Sequence, residues 1–212
     1  VPLLEETGLV IPVSAEALKT ACRQSEAWRQ QGLAGLRLAV NLSPRQFRQK
    51  GLLDSVTKAL DAANMSPEHM QLEVTEGLLI TNTAETTSIL RQLQRMGLQI
   101  AIDDFGTGYS SLNYLRRFPF TAIKVDKSFV QEISSDDDGA AIVGAVIELA
   151  HSLRLKVIAE GVEQRDQLHL LAERGCDEVQ GFYYSRPISG EESTRWLLDY
   201  RDNLDSKTEP TT

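Results

Sequence analysis

AIDDFGTGYSSL, residues 101–112, is the stretch whose reading decides the fold. It completes an apolar run, LQIAI, at two adjacent carboxylates, Asp103 and Asp104. It then passes Gly106 and Gly108 before Ser110 and Ser111 open a new helical pattern. Such a run reads as a buried strand that delivers two acids to its C-terminal end, where the chain turns sharply. Neighbouring carboxylates at the rim of an apolar strand repel one another and are costly to desolvate. A compensating charge is needed, and a divalent cation meets that need. Taken alone, the same residues also fit a glycine-rich turn in which Asp104 caps the next helix.

Working outward, five further segments have the same character. LRLAV (36–40) leads to Asn41, and MQLEVTE (70–76) carries Glu73 and Glu76. FTAIKVD (120–126) carries Lys124 and Asp126, LKVIAEGVE (155–163) ends in Glu160 and Glu163, and EVQGFYYSRP (178–187) carries Gln180. Helical spacing separates them. One helix runs from Ser14 as N-cap to about Gln31. Others hold Leu52, Leu53, Val56, Ala59 and Leu60; then Ile89, Leu90, Leu93 and Met96, closed by Gly97; then Ile142 to Leu153; then Leu168, Leu170 and Leu171; and finally Trp196 and Leu197. SSDDDG (134–139) is a solvated loop with a helix cap and is assigned no chemistry. Alternating strand and helix imply βα units and a parallel sheet, and near-continuous apolar strands imply cover on both faces. The reading is one α/β domain over residues 1–200, followed by a polar, mobile tail from 201 to 212.

The composition narrows the function. With 22 Lys plus Arg against 30 Asp plus Glu, the formal charge is −8. That argues against a nucleic-acid polymer or an acidic membrane face as partner. Cys22 and Cys176 lack metal or redox spacing, no run is long enough to span a membrane, and a reducing cytoplasm fits.

Each strand ends in polar groups, and a (β/α) barrel gathers strand ends on one face, where active sites sit. An open doubly wound sheet would spread them along an edge. One lysine cannot neutralise so many acids, whereas two divalent cations can; the alternative is a structural salt-bridge network. Oxygen donors dominate, and His69, His151 and His169 lie in helix or turn regions as ordinary packing or surface residues. The donor set therefore suits Mg²⁺ or Mn²⁺ rather than zinc. Two such ions serve phosphoryl chemistry, with Lys124 holding the attacking water or a phosphate oxygen. A Schiff-base aldolase using Lys124 is the rival, disfavoured by the excess of acids.

NLS (41–43), LEVTE (72–76), DDFGTGYSSL (103–112), KVDKSFV (124–130), AEGVE (159–163) and QGFYYSRP (180–187) occur in the order of the bacterial EAL domains. The chain resembles that family of cyclic di-GMP phosphodiesterases from about Val1 to about Trp196. The resemblance implies a TIM-like barrel that hydrolyses cyclic di-GMP to linear pGpG with Mg²⁺ or Mn²⁺, Ca²⁺ being inhibitory. It implies Asn41 and Glu73 as ligands of one ion, Asp103 as the bridge, and Asp104 and Glu160 as ligands of the other. Lys124 orients the water, and Glu160 has also been cast as general base. Glu76 and Glu163 hold the DDFGTGYSS loop, with Glu163 counted among the catalytic acids. Gln46, Asp126, Gln180, Arg186 and Pro187 are implied as contacts of substrate or water. The loop is expected to join a homodimer interface, and an upstream sensory or GGDEF-type domain is expected in the parent protein.

The family's name comes from an upstream EAL motif, which precedes the matching region. The AEAL at 15–18 lies within the helix before NLS and is not that motif. The expectation is therefore a barrel lacking its N-terminal strands. A non-catalytic cyclic di-GMP receptor and a purely partner-binding module are the competing functions.

Overall fold

The computed structural model describes residues 9–49, 51–80, 83–106, 112–133 and 137–208. In chain order these form α1 (Val10–Gln30), β1 (Leu38–Leu42), α2 (Pro44–Phe47), α3 (Leu52–Ala63), β2 (Met70–Thr75), α4 (Glu76–Ile80) and α5 (Thr83–Arg95). There follow β3 (Gln99–Phe105), α6 (Leu112–Arg117), β4 (Ala122–Val125), α7 (Lys127–Glu132), α8 (Asp137–Ser152), β5 (Lys156–Glu160), α9 (Arg165–Glu173), β6 (Glu178–Gln180) and α10 (Gly190–Thr208). Every strand pairs in parallel with the next, in the order β1-β2-β3-β4-β5-β6. Sequential parallel pairing with a helix between neighbours curls the sheet into a half-barrel, the architecture expected from the strand-helix alternation.

Alternation along the strands separates two faces. Val40, Leu42, Met70, Leu72, Val74, Ile100, Ile102, Ile123, Val125, Val157 and Ala159 turn toward the helices and form the main core with Leu60, Leu90, Leu93, Val143, Ile147 and Leu171. The concave face has only a small apolar floor of Ala101, Ala122 and Ile158. Apart from Ala39 of β1, the rest of that face is polar. Across it, Arg37 before β1 pairs with Glu178 of β6 and donates to Gln99 Oε1 of β3 at 3.4 Å. The curl thus brings the first and last strands within one side chain's reach at their N-terminal ends. In the helical layer, Trp28 Nε1 donates to Thr194 Oγ1 at 2.7 Å, tying α1 to α10.

Several boundaries differ from the sequence reading, each for a local reason. α1 starts at Val10 rather than after Ser14, because Pro12 falls in the first turn, where its missing N–H has no intrahelical partner to lose. β3 carries both aspartates near its C-terminal end, as the sequence implied, and runs on to Phe105. β5 stops at Glu160, since Gly161 turns the chain at φ +71°. β6 stops at Gln180, not near Pro187. There the backbone is taken up by the loop after β5: Val162 N–H donates to Gln180 O at 3.1 Å and Tyr183 N–H to Val162 O at 2.9 Å. The segment from Arg201, expected as a polar tail, continues α10 to Thr208, and Arg201 Nη1 donates to Gln31 O at 3.0 Å. In SSDDDG, Asp137 already begins α8, and residues 134–136 lie outside the described residues.

Ile123, fully buried, and Ile142, 45% exposed on α8, give a matched pair of tests. Ile123→Ala is expected to lower unfolding free energy by about 2–5 kcal/mol in a urea titration. Ile142→Ala should stay within about 0.5 kcal/mol of the parent. Equal effects would contradict the assignment of the two faces.

Candidate active site

Register carries the polar strand residues to one place. Asn41 is level with Glu73, Thr75 with Asp103, Lys124 with Ile158, and Glu160 with Gln180, all on the concave face toward the strands' C-terminal ends. In a regular strand Asp103 and Asp104 would point to opposite sides of the sheet. Here the β3–β4 register shifts between Ile102 and Phe105, and Asp104 takes φ +54°. Aspartate is among the few residues that accept this left-handed conformation at modest cost. The resulting bulge turns both carboxylates toward one site. One carboxylate oxygen each from Asp103, Asp104 and Glu160 lies within 4.8 Å of the others.

Lys124 sits at the centre, 3% exposed. Its Nζ is 2.6 Å from Glu73 Oε2 and 2.9 Å from Asp103 Oδ1, and it also pairs with Glu160. Gln71 Nε2 donates to the second oxygen of Glu73 at 3.4 Å. Burial by itself would push the Lys124 ammonium down, but Glu160, Glu73 and Asp103 outweigh it and hold it above the ordinary lysine range. Two of the carboxylates are raised as well. Burial, opposed by Lys124 and reinforced by Asp103, raises Glu160 to about 7. Burial and then the neighbouring Asp103 and Asp126 raise Asp104.

These residues fit hard divalent cations. Four carboxylates, from Glu73, Asp103, Asp104 and Glu160, face a single ammonium, so negative charge remains in excess. Asp103 Oδ1 and Glu160 Oε1 are buried and, although beside Lys124, lack an aligned hydrogen bond. Buried oxygens with spare acceptor capacity are what Mg²⁺ or Mn²⁺ coordinates, and the group contains no histidine or cysteine.

The other expected site residues divide into three sets. Glu163 and Gln180, both exposed, line a cavity of about 230 Å³ with Glu160, Lys127, Gln131, and Phe182. Asn41 and Gln46 line a different cavity of about 510 Å³ between α1, β1 and α3. Gln46 is also committed to a capping box, accepting from Ser43 N–H at 3.1 Å. Asp126 caps α7, accepting from the Ser128 hydroxyl and from Ser128 N–H at 2.9 Å; the hydroxyl bond first, and the backbone bond after it, hold its carboxyl below the usual range. Arg186 and Pro187 line a third cavity with Trp28, Arg37 and Trp196, away from the carboxylates, and the Arg186 guanidinium stacks on Phe182 at 4.9 Å. Glu76 opens α4 with both carboxylate oxygens buried and, among the described residues, without hydrogen-bond partners. Residues 107–111 of the loop it was expected to hold lie outside the described residues.

Three residues near the site were not singled out from sequence. Gln167 is buried on α9 and accepts from Glu163 N–H at 2.8 Å. Gly181 lies so close to Val162 that a Cβ would fall 2.1 Å from its carbonyl oxygen. Phe182 shares the cavity beside Glu160. The bond of Gln167 to Val130 O and the approach of Gly181 to Val162 join segments far apart in the chain, which no sequence period encodes.

The EAL domain family profile matches residues 1–187. The chain belongs to the EAL domain family. The bifunctional diguanylate cyclase/cyclic di-GMP phosphodiesterase MucR of Pseudomonas aeruginosa is 46% identical over 191 residues, which cover 90% of this chain and 28% of MucR. The cyclic di-GMP phosphodiesterase NbdA of the same organism is 40% identical over 199 residues, 94% of this chain and 25% of NbdA. This EAL domain thus spans roughly a quarter of the length of those relatives. Among solved structures, the PaMucR phosphodiesterase in complex with c-di-GMP superposes with TM-score 0.87 at 45% identity, covering 91% of this chain and 78% of that one. A manganese/cy-diGMP complex of Klebsiella pneumoniae BlrP1 has TM-score 0.71 at 33% identity, covering 83% of this chain and 45% of that one. No helix among the described residues is long and apolar enough to cross a membrane.

The raised Glu160 has a measurable sign. Its protonated form is favoured by the metal-free fold, so that contribution to stability is present below the unfolded value of 4.5 and lost as pH rises through about 7. A cation must displace that proton. Calorimetric Mn²⁺ titrations in buffers of different ionisation enthalpy should report proton release at pH 6 and much less at pH 8.5. Equal release at both would remove Glu160 from the ligand set.

Proposed function

We propose that this EAL domain hydrolyses cyclic di-GMP to linear pGpG in a reaction that depends on Mg²⁺ or Mn²⁺. The observation that carries the reading is the convergence of Glu73, Asp103, Asp104 and Glu160 around buried Lys124 on the concave face. The likeness to MucR and to its c-di-GMP complex supplies the substrate class.

Asp103 and Asp104, turned together by the bulge, and Glu160 would hold one cation, and Asn41, Glu73 and Asp103 a second. When bound, such ions acidify water and offset charge on a phosphate oxygen. The protein's own contribution is position and charge. Lys124, a donor without acceptor capacity, fixes a water or a phosphate oxygen from beneath, at the floor of the site. Glu160, beside it, is placed to accept the proton that leaves the attacking water. That water adds to phosphorus as the ester P–O bond breaks, and the released ribose oxygen takes up a proton. Glu163 and Gln180 border the cavity next to Glu160, where part of the nucleotide would lie, while Gln46, Asp126, Arg186 and Pro187 would act as outer contacts. Glu76, whose buried carboxylate has no hydrogen-bond partner among the described residues, would accept backbone N–H groups from the loop after Asp104.

In the cell we place the domain within a longer cytoplasmic or membrane-anchored protein that carries a sensory or GGDEF-type unit. It would pair with a second copy through the DDFGTGYSS region, and Ca²⁺ would compete with the activating ions without supporting turnover.

Asp103→Asn in the full protein should abolish pGpG formation with Mn²⁺ while leaving the circular dichroism spectrum intact. Near-normal turnover would count heavily against two cooperating ions. Lys124→Ala should lower kcat by at least about 100-fold with a smaller change in KM. Binding of cyclic di-GMP by the unaltered protein with no product at any Mn²⁺ concentration would make it a receptor instead.

A further inference from the structure

Glu160 is the last residue of β5, and the segment after it is held from three sides. A Cβ on Gly161 would lie 2.5 Å from Lys127 Cβ, so this residue rests directly on the first turn of α7. Val162 is locked against Gly181, with Val162 N–H on Gln180 O at 3.1 Å and Tyr183 N–H on Val162 O at 2.9 Å. The third contact is a side chain. Gln167 Oε1 accepts from Glu163 N–H at 2.8 Å and from Gln164 N–H at 3.0 Å, and Gln167 Nε2 donates to Val130 O of α7 at 3.2 Å.

Gln167 is 4% exposed, and its hydrogen bonds to Glu163, Gln164 and Val130 are made with backbone atoms and not with the site carboxylates. Its three bonds nevertheless join the segment that leaves Glu160 to the helix that begins two residues after β4, the strand bearing Lys124. The carboxylate and the ammonium sit on neighbouring strands whose separation is set by the sheet. Their approach also depends on how the two following segments are held. We propose that Gln167 is a positioning residue for the Glu160–Lys124 pair, setting the direction of Glu160 toward Lys124 and toward Asp103 and Asp104.

The proposal rests on the phosphodiesterase reading for its kinetic test and on geometry alone for its structural one. In the full protein, Gln167→Asn withdraws the carboxamide by one methylene, and Gln167→Glu keeps the acceptor for the two N–H groups while losing the donor to Val130 O. Gln167→Asn is expected to weaken Mn²⁺ binding by about tenfold or more and to lower kcat similarly, with KM for cyclic di-GMP little changed. Gln167→Glu should recover most of the Mn²⁺ affinity. A purely structural role would lower the melting temperature and the folded fraction but leave Mn²⁺ affinity and kcat per folded molecule as in the parent, and that result overturns the proposal. If the parent protein takes up no Mn²⁺, the phosphodiesterase reading fails, and a crystal structure of Gln167→Asn decides this one. Displacement of the Glu160 carboxylate from Lys124 supports it, and an unmoved pair overturns it.

Discussion

The balance between one buried ammonium and the four acids around it governs the concave face. Lys124 is stripped of water, which for an isolated lysine would favour the neutral amine. It stays charged because Glu73, Asp103 and Glu160 surround it. Removing an ammonium from such a group would leave buried carboxylates uncompensated, a cost of about 3–5 kcal/mol for comparable buried pairs. The carboxylates in turn outnumber the one lysine, and Glu160, raised first by burial and then by Asp103 against the pull of Lys124, moves up to about 7. A site whose own charges do not close is stable only with protons or cations in place. The same imbalance makes it a site for hard-metal chemistry.

That arrangement depends on backbone devices more than on the strands themselves. A straight β3 would present Asp103 to the concave face and Asp104 to the helices. The bulge, with Asp104 in the left-handed region and Gly106 at φ +100° just beyond, brings them to one side. On the opposite flank, Gly181 permits a backbone approach that any side chain would block, and it fuses the turns after β5 and β6 into one unit. Small residues and a local irregularity thus place the acids, while the apolar outer face of the sheet keeps the strands fixed beneath them.

Much of this was legible in the residues. LQIAI and LKVIA announce buried strands because parallel strands are apolar on both faces. Six polar strand ends are unusual enough to suggest a shared mouth. Gly97 marked a helix end where the structure has a positive φ. The misplaced boundaries have a common origin. EVQGFYYSRP is as β-prone as a real strand, yet beyond Gln180 its backbone bonds go to Val162, a segment brought alongside by the sheet. Proline breaks helix interiors, and only the position of Pro12 in the first turn of α1 makes it harmless there. Gln167 reads locally as part of a helix-start capping box, but its bond to Val130 O and the approach of Gly181 to Val162 were invisible, since they join residues distant in sequence.

From its residues alone this protein is a succession of βα units with acids and one lysine at the strand ends, a pattern that local chemistry and period are sufficient to reveal. Only the tertiary structure decided that Asp103, Asp104 and Glu160 meet within 4.8 Å, that Lys124 is buried among them, and that Asn41 and Arg186 border different cavities. The physical reason is that register and curl set distances between strands. They are fixed by the packing of the whole sheet against its helices, so no single segment contains them.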